Sequence, residues 1–267
     1  MRAMPRLAAN LSFLFQEVPF LERFAAAARA GFRGVELLFP YAHPQAVLVD
    51  AVGASELEVA IFNMPPGDWD AGERGLACDP ARIAEFREGV GQAIEYALAL
   101  GCRQVHCMAG LRPPGVAEPL LRETYLANLA FAGRALARHG LGLLVEAINT
   151  RDMPGYYLTT PRQAFELMDA VAAPNLRFQF DVYHVQIMQG DLAPTLERHL
   201  DRIGHVQIAD TPGRHEPGTG EINYRFLLQH LDRIGYQGWV GCEYRPSTTT
   251  EAGLGWAEAY LAARRPS

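Results

Sequence analysis

The sequence predicts an α/β protein folded as a single (β/α)₈ barrel of the TIM type across residues 1–267. Three observations lead there. Short apolar runs alternate with helix-like segments eight times along the chain. No composition break or low-complexity linker divides the alternation. The runs also carry their polar residues late, toward one end. A doubly wound open sheet uses the same alternation, but it would not bring all of those late positions together, whereas a closed barrel does.

Taken in order, Leu7 to Phe15 reads as strand one, and the Ala-rich segment Pro19 to Ala30 as a helix that Gly31 closes. Gly34 to Phe39 is strand two, Pro44 to Val52 a short helix, and Leu57 to Met64 strand three, followed by a Pro-Pro-Gly loop. Asp79 as N-cap with Pro80 at the first helical position predicts a helix running to Leu100, before Gly101. Strand four is Gln104 to Ala109, the next helix Glu118 to His139, and strand five Leu141 to Asn149. Thr160-Pro161 opens helix five, Leu176 to His184 is strand six, and Ala193 to Leu200 is helix six. Ile203 to Ala209, Tyr224 to Ile234 and Gly238 to Tyr244 are strand seven, helix seven and strand eight, and Glu251 to Ala263 is the last helix.

Composition narrows the function classes. A formal net charge of -6 and a pI near 5.8 leave no basic excess for nucleic acid or an anionic membrane surface, so a small molecule is the expected partner. Basic residues open the chain, but no apolar core or cleavage pattern follows them, and no run is apolar enough for long enough to span a bilayer; a cytoplasmic location is expected. Cys78, Cys102, Cys107 and Cys242 share no zinc-type or redox-type spacing and read as reduced, buried thiols. Asn10-Leu11-Ser12 matches a glycosylation acceptor, taken as chance without an export signal. A homo-oligomer is left open.

The chemistry lies in the late polar positions. Glu146 ends an apolar run, and a carboxylate there is costly unless paired, hydrogen-bonded or bound to a cation. Asp181, Gln207 and Glu243 repeat the placement, and four convergent oxygen donors suit a hard divalent cation, Mg²⁺ or Mn²⁺, better than zinc. Gln207 is the weakest member, because a barrel amide can satisfy itself by hydrogen bonds. His184, His106 and Glu36 are candidates for substrate contacts; Glu36 could equally brace the barrel floor. The Gly- and Pro-rich stretch after strand seven, residues 210–224, carries Arg214, a candidate clamp for a carboxylate or phosphate, and its glycines could let backbone N–H groups approach an anion.

Several segments resemble the hydroxypyruvate isomerase family: Asn10-Leu-Ser-Phe-Leu-Phe, Pro19-Phe-Leu-Glu-Arg-Phe, Gly34-Val-Glu-Leu-Leu-Phe-Pro-Tyr, Leu144-Val-Glu-Ala-Ile-Asn, Asp181-Val-Tyr-His and the Pro-Gly-Arg…Glu-Pro-Gly-Thr-Gly-Glu-Ile-Asn-Tyr loop. The resemblance covers nearly the whole chain. It implies a xylose-isomerase-like barrel with Glu146, Asp181, Gln207 and Glu243 as metal ligands, and Glu146 and Glu243 also as the proton-transfer pair. The implied reaction interconverts hydroxypyruvate and tartronate semialdehyde with no redox cofactor. His184 and Arg214 would orient the substrate, with Asn149, Arg151 and Asp152 as secondary contacts. Related ketose 3-epimerases carry His where this chain has Gln207, which points away from them and leaves 2-oxo-tetronate isomerases open. A barrel that binds a small acid without chemistry is the non-enzyme alternative, disfavoured because all four ligand positions are filled. An endonuclease IV-like repair enzyme would need a His-rich zinc cluster and a basic face, and the sequence has neither.

Overall fold

Strand pairing runs in chain order and closes on itself: eight parallel strands form a barrel in which β8 pairs back onto β1. The computed structural model describes residues 5–262. The strands are β1 Arg6–Asn10, β2 Gly34–Leu37, β3 Glu58–Asn63, β4 Gln104–His106, β5 Gly142–Glu146, β6 Leu176–Asp181, β7 Ile203–Ile208 and β8 Trp239–Cys242. Around them lie α1 Glu22–Arg29, α2 Gln45–Ala54, α3 Ile83–Leu100, α4 Glu118–Ala137, α5 Pro161–Val171, α6 Val182–Met188, α7 Leu192–Arg198, α8 Tyr224–Ile234 and α9 Glu258–Ala262.

Period-two alternation decides what each strand offers to each side. In β6, Phe178 and Phe180 are fully buried in the apolar core, while the intervening Gln179 and Asp181 are available to the barrel interior. β7 repeats this with Val206 and Ile208 against His205 and Gln207. The helices are closed by local chemistry. Thr160 Oγ1 accepts from Gln163 N at the start of α5, Asn223 Oδ1 accepts from Phe226 N at the start of α8, and Gly235 ends α8 in the left-handed region. All four cysteines are free and buried, as expected. Among the described residues no helix is long and apolar enough to cross a membrane.

Several boundaries differ from expectation, and each has a local cause. Strand one ends at Asn10 because the chain turns there: Phe13 N and Leu14 N both donate to Asn10 O. The helix expected from Asp79-Pro80 begins at Ile83. Asp79 Oδ1 instead accepts from Ala81 N in a turn, and Arg82 keeps a non-helical backbone. Strand six stops at Asp181, whose Oδ1 accepts from Tyr183 N at 2.7 Å and His184 N at 3.2 Å, so the residue that ends β6 also caps α6. The expected helix six is preceded by this extra helix. The last helix begins as a 3₁₀ segment over Glu251–Ala257, and its expected final residue, Ala263, lies outside the described residues.

Candidate functional site

Register sets the polar residues at one level: Asn10 lies beside Glu36, Glu146 beside Gln179, and Asp181 beside Gln207, while Glu243 follows β8 directly. With His106, His184 and His205 they form a cluster in which no member is more than 7% exposed, so every charge needs a partner. Above it opens a cavity of about 520 Å³, lined by Glu146, Gln179, His184, Arg214 and Glu243 among others, with Trp69, Met108 and Ile148 on its apolar wall. Asp181, Gln207 and Glu36 lie behind these lining residues.

Glu146 Oε1 and Asp181 Oδ2 are buried with no hydrogen-bond partner. Ligating atoms of Glu146, Asp181 and His184 all lie within 4.8 Å of one another. Burial, then the neighbouring Asp181 and Glu243, push the Glu146 carboxyl well above its ordinary value. Burial raises Asp181 too, against the pull of Arg214.

The two histidines facing Glu146 carry opposite tautomers. Asp152 N donates to Asn149 Oδ1 at 2.8 Å, which turns Asn149 Nδ2 onto His184 Nδ1 at 2.6 Å. His184 Nδ1 is therefore an acceptor, and the proton sits on Nε2, 3.7 Å from Asp181 Oδ2 and 3.9 Å from Glu146 Oε1. In this form Nε2 donates a hydrogen bond and offers no lone pair to a cation. His106 Nδ1 lies 3.0 Å from Asn63 Oδ1 and donates to it, leaving Nε2 unprotonated, 3.7 Å from Glu146 Oε2. Burial holds both rings neutral, pushing His106 down to about 3 and His184 well below its ordinary value.

Glu243 sits in the opposite condition, with both oxygens occupied. Arg214 Nη2 donates to Oε1, while Asn10 Nδ2 at 2.9 Å and Gln207 Nε2 at 2.7 Å donate to Oε2. Burial pushes its carboxyl up to about 8 even though Arg214 pulls the other way. Beneath it Glu36 pairs with His205 Nε2 and accepts from Gln207 Nε2 at 2.9 Å. A Cβ added at Gly241 would meet Glu36 Oε1 at 1.9 Å, so the carboxylate depends on that bare backbone for room. Arg214 is the one guanidinium, among the described residues, that faces the three carboxylates of Glu146, Asp181 and Glu243. That excess of buried negative charge, with two carboxylate oxygens left free, fits a divalent cation held by oxygen donors.

The loop after β7 presents Arg214, whose Nη2 also reaches to 3.6 Å from Asp181 Oδ2. Its Nε is buried and unpartnered, and its guanidinium lies over Phe13 and Tyr183. The N–H groups of Gly218 and Gly220 turn inward to the loop itself, while Gly213 lines the cavity. Gly218 N and Gly220 N donate to Asp210 Oδ2, and Thr211 N and Ile222 N to Asp210 Oδ1. A buried carboxylate of the loop itself thus takes the place of the expected anion. A Cβ at Gly220 would meet Thr211 O at 2.2 Å and Asp210 Oδ1 at 2.6 Å. Gly220→Ala is expected to lower stability by the ~1–3 kcal/mol typical of overpacking and to reduce turnover with it, because the shifted loop carries Arg214. An unchanged melting temperature would show that the loop absorbs the methyl group.

The structure brings Glu146, Asp181, His184, His106, Arg214, Gln207 and Glu243 into one cluster. Asp152 and Arg151 line the cavity at its exposed rim, where Asp152 Oδ2 accepts from Asn149. Glu36, expected among substrate contacts, is fully buried and does not line the cavity; it braces the floor through His205, Gln207 and Asn10. Asn10 and Gln179 belong to the cluster as well, although neither is among the candidate site residues of the sequence. Asn10 carries no charge to mark it in the sequence, while period-two alternation sets Gln179 on the same strand face as Asp181, toward the barrel interior.

Residues 24–260 match the family model of the xylose isomerase-like TIM barrel. The chain belongs to that family. This xylose isomerase-like barrel is 53% identical to the 2-oxo-tetronate isomerase of Cupriavidus necator, an alignment covering 97% of this chain and 99% of that one. It is 49% identical to the hydroxypyruvate isomerase of Escherichia coli over 96% of this chain and all of the relative. A crystal structure named AP endonuclease, family 2, from Brucella melitensis superposes with a TM-score of 0.94 at 49% identity, covering 98% of this chain and 100% of that one.

Proposed function

We propose that this barrel is a hydroxypyruvate isomerase that moves a proton between adjacent carbons of a small hydroxy-keto acid, with Mg²⁺ or Mn²⁺ held by Glu146, Asp181, Gln207 and Glu243. The observation that carries the reading is the pair of unpartnered oxygens, Glu146 Oε1 and Asp181 Oδ2, beside His184 and Arg214 at the base of this cavity, and it is supported by relatives named 2-oxo-tetronate isomerase and hydroxypyruvate isomerase. A bound divalent cation supplies Lewis acidity, polarising the substrate carbonyl and stabilising the negative charge that develops as a carbon gives up its proton.

The chain's own groups do the rest. From hydroxypyruvate, one glutamate of the pair Glu146 and Glu243 removes a proton from C3, leaving an enediolate. The proton is returned to C2 and the hydrogen on the C3 oxygen passes to the C2 oxygen, giving tartronate semialdehyde with no net change in redox state. His184, neutral with its proton on Nε2, donates to a substrate oxygen, and His106 Nε2 accepts from a hydroxyl. Arg214 holds the carboxylate, with its free Nε as one available donor. His184 serves here as an orienting donor, since its tautomer leaves cation binding to the oxygen donors.

Following the reaction by NMR in deuterated water tests the proposal. Hydroxypyruvate is expected to convert to tartronate semialdehyde, with solvent deuterium partly incorporated at C2 because a carboxylate carrier can exchange before returning its proton. No conversion by the metal-loaded protein would remove the reading. The 53% identity to a 2-oxo-tetronate isomerase supports a second reading, a four-carbon 2-oxo acid as the preferred substrate, and the same assay compares the two acids directly. Arg214→Ala is expected to weaken use of either acid by at least tenfold in kcat/KM while changing the turnover of an uncharged ketose far less, because a guanidinium makes charge-assisted bonds to a carboxylate. Equal losses for acid and ketose would assign Arg214 to loop structure.

A further inference from the structure

Gln179 stands between the two halves of the site, and the reaction scheme does not use it. It is 2% exposed, and its register partners are Glu146 on β5 and His205 on β7. Its Nε2 donates to Gln207 Oε1 at 2.6 Å, while its own Oε1 is buried without a partner. Gln207 in turn spends Nε2 on Glu36 Oε2 and Glu243 Oε2. In that orientation Gln207 points hydrogens at the carboxylate with which it would share a cation.

A primary amide has nearly the same shape after a half-turn about its terminal bond, so exchanging O and NH₂ costs little sterically. The half-turn gives Gln207 an oxygen toward Glu243, and its NH₂ then needs an acceptor where Oε1 stood. Gln179 carries one, and a half-turn of its own amide brings that otherwise orphaned oxygen into place. We propose that Gln179 is a positioning residue that sets the amide orientation of Gln207, the two amides turning together between a donor state facing Glu36 and Glu243 and an oxygen-donating state facing a cation. This rests on the reading of Gln207 as a ligand.

The test measures Mn²⁺ affinity by titration calorimetry and by the electron paramagnetic resonance signal of free Mn²⁺. It compares the wild type, Gln179→Met, Gln207→Met and the double variant, each checked for an intact thermal melt. Removing a residue that orients a ligand costs roughly 10- to 100-fold in metal affinity. Gln179→Met is expected to show such a loss in the wild-type background and less than about a twofold further loss once Gln207 is Met, since it then has nothing to orient. Gln179→Met binding as tightly as wild type, or losses that simply multiply in the double variant, overturn the positioning role and leave the ligand reading standing. Tight binding by Gln207→Met, or none by wild type, removes the ligand reading and this proposal with it. Should Gln179→Met fail to fold, the side-chain amide NMR signals of the wild type decide. Mg²⁺ is expected to shift those of both Gln179 and Gln207, and a shift of Gln207 alone overturns the concerted turn.

Discussion

Exchanging Glu146 or Glu243 for Gln is expected to lower the isomerisation rate by roughly 10²- to 10⁴-fold, the usual cost of losing a general acid–base group. The substitution keeps size and an acceptor oxygen but removes the ability to take up a proton. At Glu243 the amide oxygen can still accept from Asn10 and Gln207, so the fold should survive; what disappears is the charge that Arg214 answers. At Glu146, Oε1 accepts no hydrogen bond, so the substitution disturbs no bond that this oxygen makes in the fold. The two variants also separate the roles. A variant that still exchanges the substrate's proton with deuterated solvent, yet forms no product, has lost the group that returns the proton. Near wild-type turnover in both variants, with metal bound normally, would show that neither carboxylate handles it.

The fold was legible because hydrophobic alternation and its late polar positions repeat along the whole chain, and only closure brings those positions together. Details that depend on one side chain choosing between two local partners were not legible. Asp181 serves both as the end of β6 and as the cap of α6, so His184 lies in a helical first turn rather than in a strand. Asp210 gathers the loop glycines by a fold-back across residues 210–222, which no spacing rule reveals. Within the site, residue types were readable at strand ends, but hydrogen-bond direction was not. The His184 tautomer follows from Asp152 N fixing Asn149, and the place of Glu36 behind the cavity lining follows from His205 and Gly241 around it. Alternation places Gln179 on the face of Asp181, but the bonds of Asn10 to Glu243 and of Gln179 to Gln207 are not readable in the sequence, because a neutral amide in an apolar strand raises no question of charge.

Thorough chelation is expected to abolish activity, and Mg²⁺ or Mn²⁺ to restore it, with Zn²⁺ a poor substitute. The reason is electrostatic: among the described residues Arg214 is the one guanidinium facing Glu146, Asp181 and Glu243 in a buried cluster, and Glu146 Oε1 and Asp181 Oδ2 accept no hydrogen bond. Hard oxygen ligands favour Mg²⁺ or Mn²⁺, whereas zinc draws on Cys and His, and the ring nearest the acidic pair, His184, presents N–H rather than a lone pair. Because only the folded chain assembles these donors, metal at about 100 times its Kd should add roughly 2.7 kcal/mol of stability. At about 2–4 °C per kcal/mol for chains near this size, the melting temperature should rise by several degrees. Asp181→Asn supplies the control. Asn also caps helices well, so α6 and the barrel should persist, while the metal-dependent rise in melting temperature and the activity are both lost. Full activity in metal-free protein, or an undiminished metal shift in Asp181→Asn, would mean that this cluster is not where the cation acts.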